Sequence, residues 1–396
     1  MSGIRTRSQR RMATLAVAAA AVLSVSACGS AGGGGGPAAT DELPDTIKVV
    51  AINPTTGAAA FAGIEANNGY KLAVKEINET DYLDGTKIEI DFKDSKGEPQ
   101  TAAQEMTKAT TAGDISAVFG SVLSSDAVAM SPLAEKAKMP IIYTQAGSDG
   151  VVIGDYTYRM TPLMRSYYVN LKKYIADTGA KSIGILYTEA TPTLQDIGKS
   201  ALPAMAKDLG IEVTTSIGTP ATTQDFAAPI SQVLDSDPDL VSILQVGPAN
   251  PTAMTQLRQA GYDGPVIGNA GASAGNLDPA GKAGYGMVWA TDFHHQNASP
   301  SSQEFVKLYE DEYGEPPLSY AAEAYDAAWF LAKSLKEAQS ADRESVKDAM
   351  ATVAAEPFDG ALGEGLTFED QTVVVPGSVV EYSAEGENLL YEGSGE

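Results

Sequence analysis

From residue 46 onward, short apolar runs rich in β-branched residues alternate with longer stretches in which apolar positions recur every three or four residues. Residues 47–52 read as a buried strand. Residues 87–94 place Ile88, Ile90 and Phe92 on one face at the two-residue period of a strand. Runs at 117–119 and 141–143 end two further units, with helical patterns near 63–79, 100–112 and 124–138 between them. After Thr161-Pro162 the alternation restarts, with strands expected at 182–187, 211–217, 240–245 and 266–268. Alternating strand and helix is the pattern of parallel sheets joined by right-handed crossovers. The fold class expected is therefore α/β, and the restart predicts two Rossmann-like lobes with parallel central sheets.

The last third adds helices at 301–313, 319–339 and 343–354. In the second of these, Tyr325, Ala328, Trp329, Ala332 and Leu335 form an apolar stripe at helical spacing, suited to core packing. Helices this late need a sheet to cover, so the chain is expected to return to its first lobe before leaving through 360–365 into strands near 379–382. That assigns 46–161 plus 291–357 to the first lobe and 162–290 plus 358–396 to the second. Crossovers near Thr161, Ala290 and 358–368 would form a hinge.

The first 45 residues have a different character. Arg5, Arg7, Arg10 and Arg11 precede an uncharged Ala/Val/Leu-rich run over 12–27, the pattern of a signal peptide. The run ends in Val25-Ser26-Ala27-Cys28, which resembles the lipobox of bacterial lipoproteins. Arg10-Arg11 lack the Ser and Phe neighbours of a twin-arginine signal, which favours the general secretory route. Residues 28–45 contain five consecutive glycines, Gly32 to Gly36, and read as a tether that buries nothing. Together these predict an exported protein, lipid-anchored through Cys28 to the outer face of the bacterial cytoplasmic membrane. No later segment is long and apolar enough to span a bilayer.

Composition narrows the chemistry. Of 396 residues, 43% are hydrophobic and 20% charged, so the body can bury real cores. With 51 acidic against 27 basic residues the net charge is -24, the wrong sign for gripping nucleic acid. A single cysteine excludes an internal disulfide and a thiolate zinc site. There is no phosphate-binding loop and no dinucleotide fingerprint. Gly271-Ala272-Ser273-Ala274-Gly275 matches the G-x-S-x-G pattern of a hydrolase nucleophile elbow. However, 276–279 supplies a turn where a helix is required, and the sole histidines, His294 and His295, adjoin in sequence. On opposite faces of a strand, and with Asp292, these histidines would also make a poor metal site. Neither an enzyme nor a cofactor is expected; a Ser273-based hydrolase is the weak alternative.

A series of short motifs, in order, carries a resemblance over nearly all of the chain after the tether. They are Thr56-Gly57, Asn68-Gly69 with Leu72-Ala73-Val74-Lys75-Glu76-Ile77-Asn78, Asp84-Gly85, Gly120 with Ser124-Ser125, and Pro140-Ile141-Ile142. They continue with Tyr158-Arg159-Met160-Thr161-Pro162, Leu257-Arg258-Gln259-Ala260-Gly261, Tyr313-Gly314-Glu315-Pro316-Pro317 and Ala324-Tyr325-Asp326-Ala327. The sequence resembles type I periplasmic solute-binding proteins of the branched-chain amino acid ABC-transporter family. The resemblance implies a monomer that holds a small ligand between its lobes, closes by hinge bending and delivers the ligand to permease subunits. A ligand-sensing subunit that signals to a membrane receptor is the second reading.

The resemblance also implies where the ligand contacts lie. Ser124 follows a strand and opens a helix, where its hydroxyl and the free amides could hold a carboxylate; ordinary helix capping is the alternative, and is expected for Ser125 and Asp126. Gln145, Ala146, Gly147 and Ser148 occupy the second contact segment, with Gly147 where threonine is usual and Ser148 as a substitute hydroxyl. Phe61 stands one position before Ala62-Gly63, where the family carries an aromatic-glycine pair, and a second such pair falls on Pro192-Thr193. Tyr167, Tyr168 and Tyr187 are candidates to stack on a ring. The acidic residues that hold an amino acid's ammonium are replaced by Met164, Thr252 and Ala270. Glu189 or Asp292 would have to substitute. The ligand expected is therefore a carboxylate or neutral polar solute rather than leucine, isoleucine or valine.

Overall fold

In a computed structural model, Pro37 and residues 42–393 are described. The leader, Cys28 and most of the glycine-rich stretch lie outside the described residues, as do 394–396. The first half builds strands β1 (Thr46–Asn53), β2 (Lys87–Asp94), β3 (Ile115–Phe119), β4 (Ile141–Tyr143) and β5 (Thr157–Arg159). Helices α1 (Ala60–Glu79), α2 (Pro99–Thr111) and α3 (Ser124–Lys136) join the first four. The chain then passes through α4 (Met164–Tyr168) and α5 (Leu171–Thr178) into β6 (Ser182–Thr188), α6 (Pro192–Asp196), α7 (Leu202–Asp208), β7 (Glu212–Thr219), α8 (Ala227–Leu234), β8 (Leu240–Leu244), α9 (Ala249–Gln259), β9 (Val266–Ile267) and β10 (Met287–Thr291). It returns through α10 (Pro300–Tyr313), α11 (Ser319–Ala338) and α12 (Arg343–Ala354). It ends in β11 (Phe358–Gly360), β12 (Gly363–Glu369), β13 (Thr372–Val374), β14 (Ser378–Ser383) and β15 (Gly386–Glu392).

Two sheets result, ordered β11-β12-β13-β5-β4-β3-β1-β2 and β15-β14-β10-β9-β8-β6-β7. Their centres are parallel, as expected of an α/β fold; β1, for example, runs in register with β2 from Thr46↔Lys87 to Asn53↔Asp94. Each sheet also carries an antiparallel edge, formed by β11 and β12 in the first and by β14 and β15 in the second.

Residues 358–374 were expected in the second lobe, but they form the edge of the first sheet, where Thr372 pairs with Arg159 of β5. The reason is apolar matching. Phe368 stacks on Phe358 and packs against Phe330 and Tyr158, while Leu366 and Val373 are buried in the first lobe's core. The third crossover accordingly lies at 375–377, between β13 and β14, and not at 358–368.

The first core sits between the sheet and the pair α1 and α11. On α1, Ala62, Ala66, Tyr70, Ala73 and Ile77 make one buried face at helical spacing. The stripe of α11 is buried at Ala328, Ala332 and Leu335 as core packing requires. The two helices touch at Gly69, where any Cβ would collide with the carbonyl oxygen of Ala321. That close approach lets Tyr70 lie flat on Phe119 of β3, with ring centroids 4.3 Å apart. The helices α2 and α3 cover the sheet's other face through Met106, Ala127 and Met130. Among the described residues no helix is long and apolar enough to cross a membrane.

Candidate ligand cleft

Ligand contacts in open parallel sheets are expected beyond the carboxyl ends of the strands. Here the ends of both sheets face one cleft. Its core is a cavity of about 70 Å³ lined by both lobes, and a wider cavity of about 320 Å³ adjoins it. Phe61, Ser124, Gln145, Met164 and Tyr320 come from the first lobe and its crossover; Thr191, Thr193, Leu194, Gly247, Asn269 and Ala270 come from the second. Among the described residues no charged side chain lines the inner cavity.

Ser124 is the first residue of α3. The preceding Leu123 holds the cap position without any side-chain bond, so neither Ser124 nor Ser125 caps this helix. Asp126 does not cap it either; its buried carboxylate accepts from Ser95 Oγ at 2.7 Å and Ser121 Oγ at 3.0 Å. The Ser124 hydroxyl instead bonds Thr193 Oγ1 across the cleft at 2.7 Å. A second bridge runs from Tyr320 Oη, which donates to the Ala270 carbonyl at 3.2 Å. At Gly247, held at φ +43, a Cβ would lie 2.8 Å from Ala58 O and 2.9 Å from the Phe61 ring. The lobes therefore meet in a closed arrangement.

Of the expected contact residues, Phe61, Ser124 and Gln145 reach the inner cavity; Ala146, Gly147, Ser148 and Tyr187 do not line it. The carbonyls of Ala146 and Ser148 accept from Arg159 Nη1 at 3.1 and 2.8 Å, which turns that loop toward β5. Gly147 packs on the first crossover, where a Cβ would lie 3.0 Å from Met164 N; a threonine would crowd it. Tyr187 is buried beneath Gly198. Tyr168 is also core, donating to the Gly268 carbonyl, while Tyr167 Oη accepts from Gln145 Nε2 at 3.5 Å.

Met164 and Ala270 line the inner cavity and Thr252 the adjoining one, so none of the three supplies an acidic partner for an ammonium. Glu189 is exposed. Asp292 is buried and committed: its Oδ2 accepts from Thr161 Oγ1 at 2.7 Å, tying the first crossover to the second, and its carboxyl bonds that of Glu323 on α11. Two carboxylates cannot bond each other, so the pair shares a proton. Burial raises both groups, Glu323 well above the usual range, and Glu323 also accepts the backbone N–H of Gln145. Gln145 has φ +47, and this bond pins its left-handed backbone.

Glu323, Tyr320 and Asn269 were not anticipated. A buried acid inside the apolar stripe of α11 was the available signal for the first and a place just past the end of β9 for Asn269; Tyr320 carried none.

The other chemistry falls away on geometry. Ala270–Ala272 is a single 3-10 turn rather than a helix, and the Ser273 hydroxyl bonds Glu387, whose carboxyl burial pushes up to about 7. His294 and His295 follow β10 in a turn, not on opposite strand faces, and their ring centroids lie 4.2 Å apart with the planes tilted by 34°. Burial lowers His294 to about 3. Among the described residues no side-chain group could hold a metal.

A profile of the periplasmic binding proteins matches residues 46–387. The chain belongs to the periplasmic binding protein family. It is of the type I kind associated with branched-chain amino acid ABC transporters. It is 26% identical over 345 residues to Leu/Ile/Val-binding protein homolog 7 of Brucella abortus, covering 82% of this chain and 85% of that protein. Its fold matches a leucine-binding protein of Thermotoga maritima with a TM-score of 0.81 at 24% identity, covering 88% of this chain and 98% of that one. It also matches a solute-binding protein of R. palustris in complex with benzoate, with a TM-score of 0.79 at 21% identity over 88% and 96% of the two chains. Family and fold are those of substrate-binding proteins, which are not enzymes.

Proposed function

We propose that this periplasmic binding protein is an extracytoplasmic lipoprotein that captures a small solute between its lobes and delivers it, as a monomer, to the permease subunits of an ABC importer. The leader 1–27 would direct export, and the lipid on Cys28 with the 28–45 tether would keep the body at the outer membrane face. The observation that carries the reading is the Ser124–Thr193 bond across an uncharged cavity between two sheets joined by three crossovers. A cavity walled by both lobes widens when the lobes part and narrows around its contents when they close, which is how a carrier captures and releases its cargo. Relatives are named for branched-chain amino acids and for benzoate. Met164, Thr252 and Ala270 offer an ammonium no carboxylate, so an α-amino acid fits this cleft poorly.

A thermal-shift screen over amino acids, aromatic acids, amides and polar solutes tests it. At least one compound is expected to raise the melting temperature of the protein but not that of Gly247→Leu, whose side chain wedges the lobes against Ala58 and Phe61. A screen in which no solute of any class shifts the protein overturns the reading.

A further inference from the structure

We infer that closing the lobes takes up one proton, bound between Asp292 and Glu323 at the root of the cleft, so that acid favours capture and rising pH favours release. The inference rests on the solute-binding reading above and adds the proton as a second ligand of closure. Its ground is the placement of the pair. Asp292 is the first residue past β10 of the second sheet, whereas Glu323 stands on α11 of the first lobe. Thr161, which donates to Asp292 Oδ2, follows β5 of the first sheet by two residues. The contact between the carboxyls therefore joins the lobes at two of the three crossovers, where hinge bending must act.

The pair lies directly behind the cavity wall. Glu323 accepts the N–H of Gln145, and Tyr320 stands three residues before Glu323 on the same face of α11; Gln145 and Tyr320 both line the inner cavity. The far lobe completes the cover, because Tyr320 Oη donates to the Ala270 carbonyl at 3.2 Å. Parting the lobes breaks that bond and opens a path for water to two carboxyls that are 1% and 0% exposed in the closed arrangement.

Burial then sets the proton count. In water the two groups ionise near their ordinary values of 3.8 and 4.5, but in a dry site two adjacent negative charges are costly, and the pair keeps a proton that the solvated pair has lost. The proton is taken from water on closing, lies in an O–H···O bond between the carboxyls, and returns to water on opening. Glu323 Oε1, buried and receiving no donor, is free to share it. Because the closed form holds the proton more tightly, its contribution to closure is complete below the ordinary carboxylate range and is lost as pH rises through the raised closed-state range. Among the described residues no lysine, arginine or histidine bonds either carboxyl. The titratable groups facing the pair are Tyr70 of α1, Tyr167 of α4 and Tyr320 of α11, all kept protonated by burial. His294, two residues beyond Asp292, packs against His295 and is neutral above about 3, and Arg159 is bound to the Ala146 and Ser148 carbonyls and to Thr372. Glu387 reaches Tyr320 rather than the pair.

A reversible lock decides it. Cys28→Ala with Ser124→Cys and Thr193→Cys is held closed by a disulfide or freed by reduction and removal of the reductant. Each form is titrated between about pH 4 and 7.5, below the range in which thiols ionise, and small-angle scattering of the same samples records whether the lobes part. The locked form is expected to hold up to one proton more per molecule than the freed form. That excess should vanish in Glu323→Gln, whose amide N–H replaces the shared proton, and in Asp292→Asn, which supplies the amide from the other side. In the freed protein the radius of gyration should rise with pH, the ratio of closed to open molecules falling by about tenfold per pH unit at most, and should stay level in both variants. Equal proton counts in locked and freed forms that differ in radius, or an excess that survives either substitution, overturns the inference and leaves solute capture standing. Forms that share one radius at every pH remove the lobe closure on which both rest.

Discussion

Replacing Glu323 by glutamine tests the account of the hinge. The side chain is fully buried, receives the Gln145 N–H and bonds Asp292, which in turn holds Thr161. Glutamine reproduces the protonated acid, with its carbonyl accepting from Gln145 and its amide donating to Asp292. In the native protein the folded state keeps the Glu323 proton above the ordinary carboxylate range, while the unfolded chain releases it near its ordinary value of 4.5. The stabilisation is therefore complete below that ordinary value and is lost as pH rises toward the raised one, at about 1.4 kcal/mol per pH unit for one retained proton. Glu323→Gln has no proton to lose at that position. Measured by urea unfolding, its stability relative to the native protein should climb as pH rises above the ordinary carboxylate range. Asp326, raised to about 6, and Glu387, raised to about 7, are present in both proteins and cancel in the difference. Parallel stability curves for the two proteins would refute the shared-proton pair.

The close approach of α1 and α11 predicts that Gly69→Ala destabilises the first lobe by roughly 3 kcal/mol or more, because its methyl meets the Ala321 carbonyl. Urea unfolding checks this, and a loss under about 1 kcal/mol would mean the helices yield easily. Cys28→Ala is expected to move the protein from the membrane fraction to the soluble one. Fractionation that leaves it membrane-bound removes the lipid anchor.

The α/β class and the two-lobe plan were legible because strand and helix periods alternate and then restart after Thr161. Residues 358–374 were misassigned because an edge hairpin pairs with whichever sheet accepts its aromatic face, and Phe358 and Phe368 find that face only in three dimensions. The site was partly legible. Ser124, Phe61 and Gln145 follow strand ends, a local feature. Asn269 and Thr193 reach the cavity only because the second lobe closes on the first. Ser148 and Ala146 lie off the inner cavity because the loop's direction is set by Arg159, a strand away. Glu323 ties its partners together from α11, 178 residues beyond Gln145, a distance no local pattern spans.

Capture by lobe closure is tested most directly by a reversible lock across the cleft. In a Cys28→Ala background, Ser124→Cys with Thr193→Cys replaces two hydroxyl oxygens 2.7 Å apart by thiols on opposite lobes. Small-angle scattering of the ligand-free protein is then recorded before and after reduction. The account predicts a disulfide that forms on oxidation, a profile matching the closed arrangement while it is intact, and a larger radius of gyration once it is reduced. A pair that does not oxidise, or profiles that coincide in both states, would contradict it, because lobes that do not part cannot admit a solute.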